Sequence, residues 1–341
     1  MNCLGQKTFE RTRGARRVSG AACLLSVVLF AAPLALRAFD SADWLDKRAA
    51  LDGEADRLRR AYAVCAAHLV SPAENVTLPV ESHPDGSVKA SVSAKAAQFF
   101  IDEGLVWGTN VVVRQFATNG VVEAEVEADC CVVDRNAKAG WVEGRARARY
   151  LMTELEGERI YLSFSEEFVR ISTNTVIRAR DLKFKTAGFT GERMRLTNGV
   201  EVVATRADYD RGEGVLLFDG AVRATDGEYA FGADRVFVFL DGTNELRRVV
   251  ADGNVTVENG PRSGSCPRAT YVRPLGQVVM YGDGPDRPAR LKEEAERRNE
   301  LEGRKITFWL DSEQVEVEGA TFTVDGGMAG GKEGFLERLT E

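Results

Sequence analysis

From residue 76 to residue 323 the chain is a succession of short apolar or alternating runs cut by Asn-Gly and Asp-Gly pairs. That punctuation restricts the fold more than any other feature. Runs such as 111–116, 121–126, 200–203, 215–218, 236–240, 255–257 and 306–310 are short and rich in Val, Ile and Phe. Such residues suit a pleated, half-buried surface. The pairs Asn119-Gly120, Asn198-Gly199, Asp226-Gly227, Asp241-Gly242, Asp252-Gly253, Asn259-Gly260 and Asp325-Gly326 supply the positive φ angles of tight hairpins. Glycine outnumbers proline by 33 to 9, which fits a chain full of turns. Strands joined this way run antiparallel, since a parallel pair needs a crossover of roughly a dozen residues or more. The expectation is a mostly β chain, built as a sandwich, jelly roll or open solenoid.

The first 75 residues differ in texture. Lys7, Arg11, Arg13, Arg16 and Arg17 precede an apolar run over 18–36 that is interrupted only by small residues and Pro33. A basic flank followed by such a run is an export signal, with the flank retained in the cytoplasm. Cleavage near Leu36-Arg37-Ala38 and retention as an anchor are both compatible with it, the run being close to the ~20 residues that cross a bilayer. From 41 to 71 the period becomes helical. Leu51, Ala55, Leu58, Tyr62, Cys65 and Leu69 form one apolar stripe, Ser41 can cap the start, and Ser71-Pro72 ends the helix.

Several function classes lose support. A net charge of −7, with no concentrated basic face beyond the leader, argues against nucleic-acid binding. His68 and His83 are the only histidines, and neither has a nucleophile partner or a zinc-ligand spacing. Glu166-Glu167 and Glu293-Glu294 read as solvated surface, and the Lys- and Glu-rich stretch 291–301 as a solvated loop or short helix. Gly326 to Lys332 fits a P-loop frame, but Glu333 stands where a Ser or Thr hydroxyl would hold Mg²⁺. A flexible Gly-rich tail over 324–341 is the simpler reading. Cys65, Cys130, Cys131 and Cys266 read as small buried hydrophobes, with Cys130 and Cys131 on opposite strand faces. Neither enzyme activity nor a cofactor is expected.

The strand runs also repeat. Leu217-Phe218-Asp219-Gly220-Ala221-Val222 and Val250-Ala251-Asp252-Gly253-Asn254-Val255 share one frame, 33 residues apart, and Thr109-Asn110-Val111 echoes it. An Ala-Asp element recurs at Ala128-Asp129, Ala207-Asp208-Tyr209 and Ala233-Asp234-Arg235-Val236. Repeated strand pairs stack to bury one continuous core. In these motifs, and in the stretches 301–308 and 315–319, the chain resembles the OstA/LptA-like β-jellyroll family of lipopolysaccharide export proteins. The resemblance runs over about 191–323, and 94–113 is similar to a more diverged copy.

That resemblance implies an elongated antiparallel β-jellyroll, a half-open β-taco of repeated strand pairs preceded by a hydrophobic leader and one helix. The implied division is a signal peptide or anchor over 1–39, a helix over 41–71, a diverged β-repeat region over 76–185, the jellyroll over 186–323, and the tail. It further implies a periplasmic, exported protein, anchored in the inner membrane by 18–36 if the leader is uncleaved. Lipid A acyl chains of lipopolysaccharide would ride in an apolar groove. Other transport jellyrolls would join by edge-strand pairing. Groove candidates are Leu216, Phe218, Val222, Val236, Val238, Leu240, Val255, Val257 and Phe308. The same alternation equally fills a closed core, so a non-catalytic envelope scaffold binding protein partners stands as the alternative. The leader is directly testable: a cytoplasm-only reporter fused after residue 75 should give no signal. A bright fusion would overturn export.

Overall fold

The computed structural model describes residues 41–150, 153–179, 199–227, 229–240, 246–294, 298–309 and 314–324. The leader over 1–39, the Asn198-Gly199, Asp241-Gly242 and Asp325-Gly326 pairs, in whole or in part, and the glycine tail lie outside them. The chain divides into two compact units, Met1–Gly53 and Glu54–Glu341. The boundary falls inside helix α1 (Ser41–Ala67), at the glycine that most weakens it. The helix stops before Leu69, which is exposed, and before Ser71-Pro72; the His68 N–H closes its last turn on the Cys65 carbonyl.

The second unit is an antiparallel meander. It opens with β1 (Ala73–Ser82), β2 (Val88–Phe100), β3 (Leu105–Phe116), β4 (Val122–Asp134), β5 (Ala139–Tyr150), β6 (Thr153–Ser163) and β7 (Phe168–Ala179). Next come β8 (Val200–Ala204), β9 (Arg206–Asp210), β10 (Val215–Thr225), β11 (Ala230–Leu240), β12 (Leu246–Asn259) and β13 (Arg262–Val272). It closes with β14 (Gln277–Tyr281), β15 (Ala289–Glu294), β16 (Arg298–Gly303), β17 (Lys305–Trp309), β18 (Gln314–Glu318) and β19 (Thr321–Val324). Every pairing is antiparallel, and all these strands belong to one sheet. No helix lies between consecutive strands except the short 3₁₀ turn Arg273–Leu275, among the described residues.

The strands are longer than the sequence runs, because pairs of runs are halves of one bent strand. Register slips by one residue inside β4, β5, β6, β10, β11 and β12, between Asp252 and Val255 in β12 for example. Asp252-Gly253 is therefore a β-bulge in mid-strand and not the hairpin turn its composition suggests. Asn119-Gly120, Asp226-Gly227 and Asn259-Gly260 do sit in or beside turns between strands. Gly253 and Asn254 both take positive φ, 76° and 48°, as do Gly220 and Ala221 at the equivalent point of β10. Asn110 in β3 and Asn174 in β7 do the same. The repeat of 33 residues is thus two strands long, and its Gly-Asn element marks a bend.

Where a strand breaks outright at this line, it becomes two. β8 and β9, separated by Thr205, pair with the two halves of β7 on one side and of β10 on the other. β14 and β15 divide β13 in the same way, and they continue through β17 and β16 to β18 and β19. The bends align into a fold line between two half-sheets. One contains β8, β15, β16 and β19, and the other β9, β14, β17 and β18.

Distances show that the halves close over each other. Lys89 lies where β2 begins in the first half, and Glu167 precedes β7 in the second, at the far end of the strands. In a flat sheet they would stand roughly 35–40 Å apart at ~3.3 Å per residue. Their charged atoms are 2.8 Å apart. Two apolar clusters fill the space between the halves. One contains Val92, Val111, Val113, Cys131, Val142, Ile160 and Ile171; the other contains Ile177, Phe218, Val222, Val236, Val255, Met280, Leu291, Leu301 and Ile306.

The stretch 291–301 is a correction. It is the β15–β16 hairpin, with Leu291 and Leu301 inside and the outward Lys292 paired to Glu300 across the strands. Glu293 is also buried, held by Arg262 and Asn299. Its charge pattern is that of a strand face, because outward positions alternate with apolar inward ones.

The helical residues from Glu54 onward cover the outside of the second half-sheet. Leu58 is fully buried, the Tyr62 ring packs on Trp107, and Arg57 pairs with Asp134 at 2.7 Å. That carboxylate also accepts the Asn136 and Ala137 N–H groups, tying helix and hairpin together. Elsewhere on the sheet, buried Asp208 receives two hydrogen bonds from Arg170 and two from Arg206, so its Ala-Asp motif is a packed ion cluster.

Gly253 tests the fold line. Asn254 donates from Nδ2 to the Asp234 carboxylate at 2.9 Å, and a Cβ at Gly253 would collide with that same carboxylate. Gly253→Ala should lower stability by about 2 kcal/mol or more in urea melts, combining the φ penalty with the clash. Asn254→Gly should cost less than 1 kcal/mol, on the order of one exposed hydrogen bond. Equal, negligible effects would mean that the bend does not depend on these residues.

Candidate functional site: the interior between the half-sheets

The interior is apolar because inward positions on both halves are Val, Ala, Leu, Ile and Phe, while outward positions carry charge. The bulge slips the register of each strand by one residue, and the sequence compensates. In β10, Phe218 before the bend and Val222 after it both lie in the second cluster, on either side of the one-residue slip.

The predicted groove residues fall on this surface. Phe218, Val222, Val236 and Val255 are buried in the second cluster, and Leu216, Val238 and Phe308 pack against it half-buried. Val257 is half-buried and reaches the space over Gly264 beside Leu291 and Met280. Leu240 is half-buried near the end of β11, on the parity of Val236 and Val238. On that strand the sequence was apolar on both faces, and the structure separates them: Phe237 and Phe239 stack on the opposite side, with Arg248 over the Phe239 ring.

An apolar cavity lies elsewhere. It has a volume of about 120 Å³ and opens between the halves in the β1–β10 block. Ala90, Val113, Val126 and Leu155 line it from one half, and Phe164, Val169, Tyr209 and Leu216 from the other. Of the nine predicted residues only Leu216 touches it. Of the others, Phe218, Val222, Val236 and Val255 are buried in the second cluster, Phe218 at 3% exposure.

Charged side chains stand around the mouth of this cavity. Lys89 pairs with Glu167 at 2.8 Å and Glu81 at 3.6 Å, Arg211 with Glu123 at 3.0 Å and Glu167 at 3.9 Å, and Lys138 with Glu81 at 3.9 Å. Burial works against the Lys89 ammonium, but Glu167 and Glu81 outweigh it and raise its pKa. Glu167 is thus no freely solvated surface residue. A glutamate pair in a turn has no sequence mark of its partner on a strand 78 positions away. Only a long list of charges beside strand ends hinted at it.

Cys65, Cys131 and Cys266 are buried free thiols, while Cys130 is half-buried. Burial pushes the Cys131 thiol up to about 12 and Cys266 up to about 11, so both stay neutral and serve as packing. Among the described residues, no three metal-ligating side chains come together. No described helix is long and apolar enough to cross a membrane.

Fold and interior together define a folded-over antiparallel β-jellyroll with an apolar inside. Residues 201–314 match the family model described as LptA/(LptD N-terminal domain) LPS transport protein. That match spans about a third of the chain, so it marks this segment as similar to the LptA family. A solved structure, LptH, the LptA homologous periplasmic component of the conserved lipopolysaccharide transport device from Pseudomonas aeruginosa, is 18% identical. That likeness covers 37% of this chain and 95% of that one, with a TM-score of 0.32. No curated protein matches the chain.

Two substitutions separate an accessible wall from a sealed core. Leu216→Asp, at the cavity, can keep its carboxylate hydrated and should leave thermal melting within a few degrees of the parent. Phe218→Asp buries an unpaired charge and should cost several kcal/mol. If both melt alike, the cavity does not reach Leu216 in solution.

Proposed function

We propose that the chain is an exported lipid-binding protein of lipopolysaccharide transport to the outer membrane, working on the periplasmic side. Its apolar interior holds lipid acyl chains between the half-sheets. The observation that carries this reading is an apolar interior with an opening, inside a sheet whose ends are not closed, in a chain with an LptA-like segment. Each methylene taken from water into such an interior contributes about 0.8 kcal/mol. The groove wall comprises the inward residues Leu216, Phe218, Val222, Val236, Val238, Leu240, Val255, Val257 and Phe308, extended by the cavity residues of the first block.

The sheet ends suit partners. Among the described residues β1 pairs only with β2, β18 only with β17, and β19 only with β16. Such edges accept another chain's strand, so other transport jellyrolls are the proposed protein partners. The β1 edge is blunted by Pro79 and by register shifts between Pro79 and Ser82, devices that discourage indiscriminate pairing. The N-terminal segment would link the protein to the inner membrane if it is retained.

One observation favours the scaffold alternative: much of the interior, Phe218 included, is sealed without a ligand. Photo-crosslinking distinguishes the readings. A benzophenone amino acid at Leu216 or Val238 should capture labelled lipopolysaccharide, and one at exposed, outward Val203 should not. Capture of protein alone from both inward positions would favour the scaffold and end the transport proposal.

A further inference from the structure

We propose that the charged mouth of the first block is a head-group site: Lys89 and Arg211 bind the phosphate of an anionic amphiphile whose alkyl chain enters the cavity beneath. The inference rests on the lipid-binding reading and says which part of the lipid is read, and where.

The geometry singles out this mouth. Lys89, at the start of β2, and Glu123, at the start of β4, belong to the first half-sheet. Glu167, in the β6–β7 turn, and Arg211, in the β9–β10 turn, belong to the second. The pairs Lys89–Glu167 and Glu123–Arg211 therefore cross from one half to the other, at 2.8 and 3.0 Å. Glu81 and Lys138 make a third, looser crossing. Glu81, Lys89, Glu167 and Arg211 also line the apolar cavity itself. The clasp and the hydrophobic space are one site.

The clasp is built to exchange. Its glutamate side chains keep contact with water, from 14% exposure at Glu81 to 29% at Glu167, so a displaced partner can be rehydrated. Two of its ion pairs are loose. The Lys89–Glu81 and Arg211–Glu167 distances, 3.6 and 3.9 Å, are too long for hydrogen bonds, and Glu81 Oε2 is buried with no hydrogen-bond donor. A phosphate monoester brings nearly two negative charges and three acceptor oxygens. It can hold both cations closely, where Glu167 reaches Lys89 at 2.8 Å but Arg211 only at 3.9 Å, and the Arg fork suits it bidentately. Displaced Glu167 would turn outward to water. The cavity below has room for roughly half a dozen carbon atoms. That accommodates the end of one alkyl chain and no bulky ring system.

The test is calorimetric titration of the full chain at low salt with three probes: monododecyl phosphate, dodecyl maltoside and inorganic phosphate. Both alkyl probes are kept below their micelle thresholds. Wild type should bind monododecyl phosphate most tightly. Lys89→Gln and Arg211→Gln should each weaken that probe about tenfold and leave dodecyl maltoside unchanged. Glu167→Gln should strengthen it, because a competing carboxylate is gone. Lys89→Arg should retain binding, which guards against a mere folding defect. Charge variants of opposite sign that act alike, or that shift both alkyl probes equally, would overturn the head-group site while leaving an acyl-binding interior intact. Inorganic phosphate binding as tightly as the monododecyl ester would also overturn it, as a free-ion site. Failure of both alkyl probes on folded wild type would overturn the lipid-binding reading along with it.

Discussion

The structure depends on a row of mid-strand bends. A continuous antiparallel sheet of long strands, apolar on one face, would expose that face to water. Bulges in successive strands, aligned at one level, let the sheet fold over and bury the face against itself. Asn and Gly with positive φ supply the bend, and charged or polar groups from neighbouring strands brace it. Asp234 beside Gly253 and Asn254 is the clearest case. Without the bends there would be no inside.

Folding a sheet this way has two consequences for function. The core follows the fold line as two apolar clusters, so it can be extended by adding strand pairs. The edge opposite the fold line is a mouth that only side chains can close. In the first block that closure is ionic, between residues that approach only because the halves meet. The cavity opens beneath those ion pairs.

The helix plays a separate role. From Glu54 onward it covers the outer face of the second half-sheet, where Trp107, Val132, Trp141 and Tyr161 would otherwise be exposed. Those residues give that half of the first block an apolar outer face. That face is explained by the helix, and the apolar interior is left to the inward set alone.

Much was legible in the residues themselves. Short Val-rich runs and Asn-Gly turns sufficed for an antiparallel sheet, because side-chain period and turn angle are local properties. The helix stripe at Ala55, Leu58 and Cys65 was readable for the same reason, and so was the shared parity of Leu216, Phe218 and Val222, but not which side of the sheet that parity faces. Tertiary structure alone decided the rest. Asp252-Gly253 has the composition of a hairpin turn, and only pairing on both sides makes it a bulge. Glu293 and the hairpin around it look solvated until Arg262 and Asn299 are brought to it across the sheet. The clasp of Lys89, Glu123, Glu167 and Arg211 joins four distant segments. Its charges carry no local pattern, because what defines it is the closing of one half-sheet over the other.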